Sequence, residues 1–119
     1  MKNMLIILSI VLSACSRESI NIDCERAKLI NTGIRLTNTV QDNTEQAQKA
    51  LCLTVAFYAM KEEDIEQIAK ANRQEYEQIM DYLLKICDSW IKEDNDIPWL
   101  AKTAMEAAEF SKKQSHCFK

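Results

Sequence analysis

The chain has 119 residues, and its 18 acidic residues outnumber its 15 basic ones, which gives a formal charge of -3. A mildly acidic chain is poorly suited to binding nucleic acid or adsorbing broadly to anionic lipid, because both need clustered positive charge. It contains one glycine and one proline, so a glycine-rich phosphate loop is excluded and helix-forming residues dominate. The composition therefore predicts an all-α protein.

The N-terminus carries a short apolar run. Residues 4–12 are almost entirely apolar and follow a single basic residue, Lys2. The run is far below the roughly 18 to 20 apolar residues that cross a bilayer, and its pattern is typical of a secretory signal peptide. It ends in Leu-Ser-Ala-Cys at residues 12–15, which resembles the lipobox of bacterial lipoproteins.

This resemblance implies a lipid on the sulfur of Cys15 and cleavage just before it. Residues 1–14 are then the signal peptide, residues 15–21 a short lipidated tether, and residues 22–119 a helical domain. Two or more acyl chains anchor a protein stably. Ser16 after the lipid-bearing cysteine resembles an outer-membrane sorting signal, which implies a protein on the periplasmic face of that membrane. The alternative is a plain signal peptide with Cys15 as an ordinary cysteine.

The first half of the mature chain predicts two helices joined by a loop. A first helix is expected over residues 22–31 and should stop at Gly33, because glycine readily adopts the left-handed conformation that ends helices. Residues 34–43 mix β-formers with helix-formers and are predicted to be a loop. Asn43 or Thr44 is expected to cap the next helix.

Apolar residues then recur every seven positions over residues 51–90. The run is either one extended coiled-coil arm or a bundle with breaks near residues 61–64 and 71–73. We favour the breaks, because polar residues interrupt the seven-residue apolar pattern close to both points. Asp64 with Gln67 can also form a capping box at the first break.

The last helix is expected to begin at Pro98, whose missing N–H costs nothing in a first turn. It should end near Lys112 and Lys113, which complement the helix dipole. The predicted fold is a small disulfide-braced helical bundle of about four helices behind a cleaved signal peptide.

Four cysteines remain besides Cys15: Cys24, Cys52, Cys87 and Cys117. An even number in an exported chain predicts two structural disulfides, with free or metal-binding thiols as the alternative. No C-x-x-C pair is present, so we predict no metal site. We favour Cys24–Cys52 with Cys87–Cys117, because the first two are equidistant from residue 38 in the predicted loop. The pairing Cys52–Cys87 with Cys24–Cys117, centred on the second break, stays open.

No pattern of residues predicts an enzyme or a cofactor. His116 is the only histidine and lies three residues from the C-terminus, where it is expected to be solvated. The acidic residues at 93–96 lack the spacing and the turn glycine of a calcium loop, so they are expected to be a solvated connection.

The predicted activity is binding of another envelope protein. Acidic residues near the first break can steer a basic partner, and aromatic residues off the main apolar row can act as exposed anchors. An immunity or entry-exclusion protein is the leading instance. The alternatives are a pilotin-like factor that targets a secretion-system component and a purely structural lipoprotein. The predicted partner surface comprises Glu62, Glu63, Asp64, Glu66, Tyr82 and Trp99.

Overall fold

A computed structural model describes residues 20–93 and 96–118. The predicted signal peptide, Cys15 and most of the tether lie outside these residues. Within them there are five α-helices, one short 3-10 helix and no strand, which confirms the all-α prediction. The five α-helices correct the expected number of about four. The helices are α1 (Ile22–Thr39), α2 (Thr44–Ala59), α3 (Glu62–Lys70), α4 (Arg73–Glu93) and α5 (Ile97–Lys113), followed by the 3-10 helix Ser115–Phe118.

Helix α1 runs through Gly33 to Thr39, so the predicted stop at Gly33 is wrong and the loop predicted over residues 34–43 is confined to residues 40–43. Gly33 is buried where α1 crosses α2. A Cβ at this position would collide with Oγ1 of Thr54 and would lie 3.1 Å from the Thr54 Cα. The glycine therefore serves close packing inside a helix rather than a helix end.

Local side-chain caps set most of the helix starts. Asn43 accepts a hydrogen bond from the Gln46 amide at 3.1 Å, as predicted. The reciprocal capping box lies at the second break: the Glu75 amide donates to Asn72 Oδ1 at 2.8 Å, and the Asn72 amide donates to Glu75 Oε1 at 3.0 Å. The capping box predicted at Asp64 is absent, because α3 starts after Lys61 without a side-chain cap.

Helices α1 and α2 form the most extensive helix pair, and α5 packs across both. The only helix with which α4 makes extensive contact, among the described residues, is α2. The core has two parts. One lies around Ile30, Phe57 and Ile65, and the other around Val55, Leu100 and Ala104.

The two disulfides are Cys24–Cys117 and Cys52–Cys87, with Cα–Cα distances of 5.4 and 5.7 Å. Two bridges are as predicted, but the favoured pairing is wrong and the alternative is the observed one. The α1–α2 turn lies at residues 40–43 rather than around residue 38. This shift moves the α2 position opposite Cys24 toward the end of that helix, well past Cys52.

Arg26 confirms this register from the side of α1. Its Nη1 donates to the carbonyl oxygens of Phe57 at 2.7 Å and Met60 at 2.6 Å. One guanidinium thus satisfies carbonyls that the end of α2 leaves without helical partners. No helix among the described residues is both long and apolar enough to span a membrane.

Candidate functional site

The outer side of α4 carries Tyr82, one of the two aromatic residues that the sequence predicted to be exposed. Of its 21 residues only Cys87 is buried. Tyr82 is 64% exposed and Ile86, one turn later, is 46% exposed. Both lie beside the partly buried Ile79 and Trp90 on a helical wheel. The apolar sector of α4 is therefore wider than the strip that α2 covers.

This exposed surface continues onto the start of α5. Trp99 is 49% exposed, and its ring centroid lies 6.1 Å from that of Trp90. Trp90 follows Ile86 by one further turn, so the four residues form one continuous strip. We call Tyr82, Ile86, Trp90 and Trp99 the α4 outer face.

A groove lies between α3 and α4, beside the end of the α4 outer face that Tyr82 occupies. It has a volume of about 540 Å³ and is lined by Gln67 and Lys70 on α3 and by Gln78, Ile79 and Tyr82 on α4, among others. The lining combines apolar side chains such as Ile79 with amide and charged groups from both helices, a mixture that suits a side chain or helix from another molecule.

The acidic part of the predicted surface has a local structural role. Glu62, Glu63 and Asp64 occupy the first turn of α3 and are exposed. Negative charge there stabilises the helix through its dipole. Glu66 forms an ion pair with Lys70 at 2.9 Å, so this charge has a partner within the helix.

The predicted partner residues lie on three different helices, α3, α4 and α5. The start of α3 follows Met60, whose carbonyl oxygen contacts Arg26 near the beginning of α1. Trp99 lies in the first turn of α5, whose opposite end contacts α1 through Ser111 and Ala27. The 17 residues of α5 span about 25 Å. Trp99 therefore lies far from the acidic residues at the start of α3, whereas Tyr82 lines the groove that Gln67 and Lys70 of α3 also line.

The acidic connection between α4 and α5 has one defined function in the fold. Asp96 Oδ1 accepts a hydrogen bond from the Trp99 amide at 3.1 Å, which caps α5. This cap also fixes the backbone that presents Trp99. Asp94 lies outside the described residues.

A second cluster, which the sequence did not predict, surrounds the C-terminal disulfide. The Nε2 atom of His116 lies 4.0 Å from Sγ of Cys24. The possible ligand atoms of Cys24, His116 and Cys117 all lie within 4.8 Å of one another. The signal that could have found the cluster is the adjacency of His116 and Cys117 combined with the alternative cysteine pairing.

Comparison of the chain with protein-family models, with curated proteins and with solved structures found no match.

Proposed function

We propose that this chain is an outer-membrane lipoprotein whose periplasmic helical body binds another envelope protein through the α4 outer face. The observation that supports this most directly is the exposure of two large side chains on one side of a helix, Tyr82 and Ile86. Exposed apolar surface costs free energy in water, and a contiguous patch of it is typical of a protein-binding site. Tyr and Trp are also the residue types enriched among interface anchors.

The anchor is proposed from the sequence around Cys15, which resembles a lipobox. The two disulfides support export, since such bonds persist in oxidising compartments. The chain from Cys15 to the start of α1 is six residues long before the cap Asn21. Six extended residues span at most about 20 Å, so a tether of this length would keep the start of α1 within that distance of the membrane surface.

The leading instance of this function is an immunity or entry-exclusion protein that blocks a partner arriving in the envelope. A pilotin-like factor is the second candidate, and the groove between α3 and α4 favours it, because such a groove can receive an amphipathic helix. Gene context and deletion phenotype separate the two. Immunity predicts an adjacent toxin gene and killing by sibling cells, whereas piloting predicts a mislocalised secretion component.

The binding proposal is tested by affinity capture from solubilised envelopes with matched variants. Tyr82→Ala combined with Ile86→Ala should lose a stoichiometric partner that the unmodified chain retains, because both anchors are removed. Met105→Ala is the control, since Met105 is 70% exposed but lies on α5 away from this face. Equal capture by the double variant and by the control would exclude the α4 outer face as the binding surface.

The anchor is tested separately with Cys15→Ser. This variant should fractionate with soluble proteins and should not incorporate radiolabelled palmitate. The unmodified chain should fractionate with the membranes and should incorporate the label. A Cys15→Ser chain that remains with the membranes would contradict lipid anchoring without bearing on the α4 outer face.

A further inference from the structure

We propose that Cys24, His116 and Cys117 bind Zn²⁺ when the two cysteines are reduced, so that the disulfide and the metal site are alternative states of the same three residues. Zn²⁺ is the ion class that two thiolates and an imidazole select. The inference does not depend on the proposed partner surface or on the lipid anchor.

The geometry of the cluster is close to that of a zinc site. Tetrahedral zinc with its usual bond lengths places a thiolate sulfur and an imidazole nitrogen about 3.6 Å apart. Cys24 Sγ and His116 Nε2 are 4.0 Å apart, and all three ligand atoms lie within 4.8 Å of one another. On reduction the two sulfurs must separate to about 3.8 Å, which side-chain rotation provides.

The fold brings the three ligands together from the two ends of the chain. His116 and Cys117 are neighbours in the 3-10 helix Ser115–Phe118, while Cys24 lies in the first turn of α1. The 3-10 helix packs against α1. Three protein ligands leave a fourth position for water, because His116 is exposed and both cysteines are partly exposed.

The two states are related by a balanced exchange. A newly made chain carries both cysteines as thiols, and Zn²⁺ binding releases their two protons. An existing disulfide must first accept two electrons and two protons from a dithiol, which becomes a disulfide itself. Bound zinc in turn occupies both sulfurs and slows their oxidation. The tail is thus fixed to α1 in either state, by a covalent bond or by a metal ion.

The test titrates the reduced full chain with Zn²⁺ against a chromophoric chelator under anaerobic conditions. We expect one ion per chain and release of two protons per ion, together with protection of Cys24 and Cys117 from alkylation. Co²⁺ used as a probe should show thiolate-to-metal charge transfer. The disulfide-bonded chain should bind neither ion at this cluster.

The deciding variant is His116→Ala, which keeps both cysteines and the disulfide and so tests ligation without altering the oxidised fold. It should bind Zn²⁺ at least about tenfold more weakly. Ser115→Ala, its exposed neighbour in the 3-10 helix, should bind like the unmodified chain.

Two results would overturn the inference. The first is equal zinc affinity of His116→Ala and the unmodified chain, and the second is protection of Cys52 rather than Cys24 from alkylation.

Discussion

At the scale of single residues, two residues of α1, Gly33 and Arg26, decide how α1 and α2 fit together. Gly33 lets the helices approach closely at Thr54, whose hydroxyl donates to the Ala50 carbonyl at 2.9 Å and is fully buried. Arg26 holds the end of α2 through the carbonyls of Phe57 and Met60. Both contacts are made between helices, and neither can be read from the local sequence.

Gly33→Ala should lower the free energy of unfolding by roughly 1 to 3 kcal/mol, the usual cost of overpacking. Alanine is the better helix former, so a loss of stability here can arise only from the collision with Thr54. Urea denaturation measures the change. Asn38→Ala, at an exposed site in the same helix, should be close to neutral, and a stabilised Gly33→Ala would contradict this packing.

At the scale of helices, each of the breaks that divide residues 51–90 has a different physical basis. The break at Asn72 has a reciprocal capping box, whereas the break at Lys61 has none and is supported by Arg26 from α1. Helix α4 is the least covered of the long helices. An ion-pair network at its C-terminal half ties it to α2: Asp88 contacts Lys92 at 3.1 Å and Lys49 at 3.5 Å.

This network predicts a pH dependence. The hydrogen bond from Lys92, with further attraction from Lys92 and Lys49, lowers the pKa of Asp88 below its ordinary value. A lowered pKa in the folded state means that the ionised group stabilises the fold above its ordinary pKa, and that this contribution disappears as the pH falls through the lowered value. The same contact with Asp88 raises the pKa of Lys92.

Asp88→Asn should therefore be less stable than the unmodified chain at neutral pH, and the two should converge at acidic pH below the lowered pKa of Asp88, where the carboxylate is protonated in both the folded and the unfolded state. Urea denaturation at both pH values measures the difference. High salt should reduce the neutral-pH difference, because the pair is close to the surface. If the difference in the free energy of unfolding stayed constant with pH, it would arise from packing rather than from charge.

At the scale of the whole molecule, the two disulfides have different topological effects. Cys24–Cys117 joins the beginning of α1 to the C-terminal tail across 93 residues, and Cys52–Cys87 joins α2 to α4 across 35 residues. In the chain-entropy treatment, loops of these lengths stabilise by about 5 and about 4 kcal/mol. The second bridge matters for α4 in particular, because that helix has few other buried contacts.

Tryptic digestion without reduction should reveal the pairing directly, because each cysteine lies in its own tryptic peptide. Residues 18–26 should be linked to residues 114–119, and residues 50–61 to residues 86–92. Linkage of 18–26 to 50–61 would contradict the observed α1–α2 register. Mass spectrometry after alkylation should find no free thiol among these four peptides.

The local sequence determined the features that depend on neighbouring residues: the helical class, the cap at Asn43, the start of α5 near Pro98 and the capped break at Asn72. Tertiary structure decided the rest. The length of α1, the role of Gly33 and the disulfide partners all follow from where two helices cross. The meeting of His116 with Cys24 depends on residues 92 positions apart. Helix caps act over three or four residues, whereas the register between helices is set by the close packing of side chains that are distant in the chain.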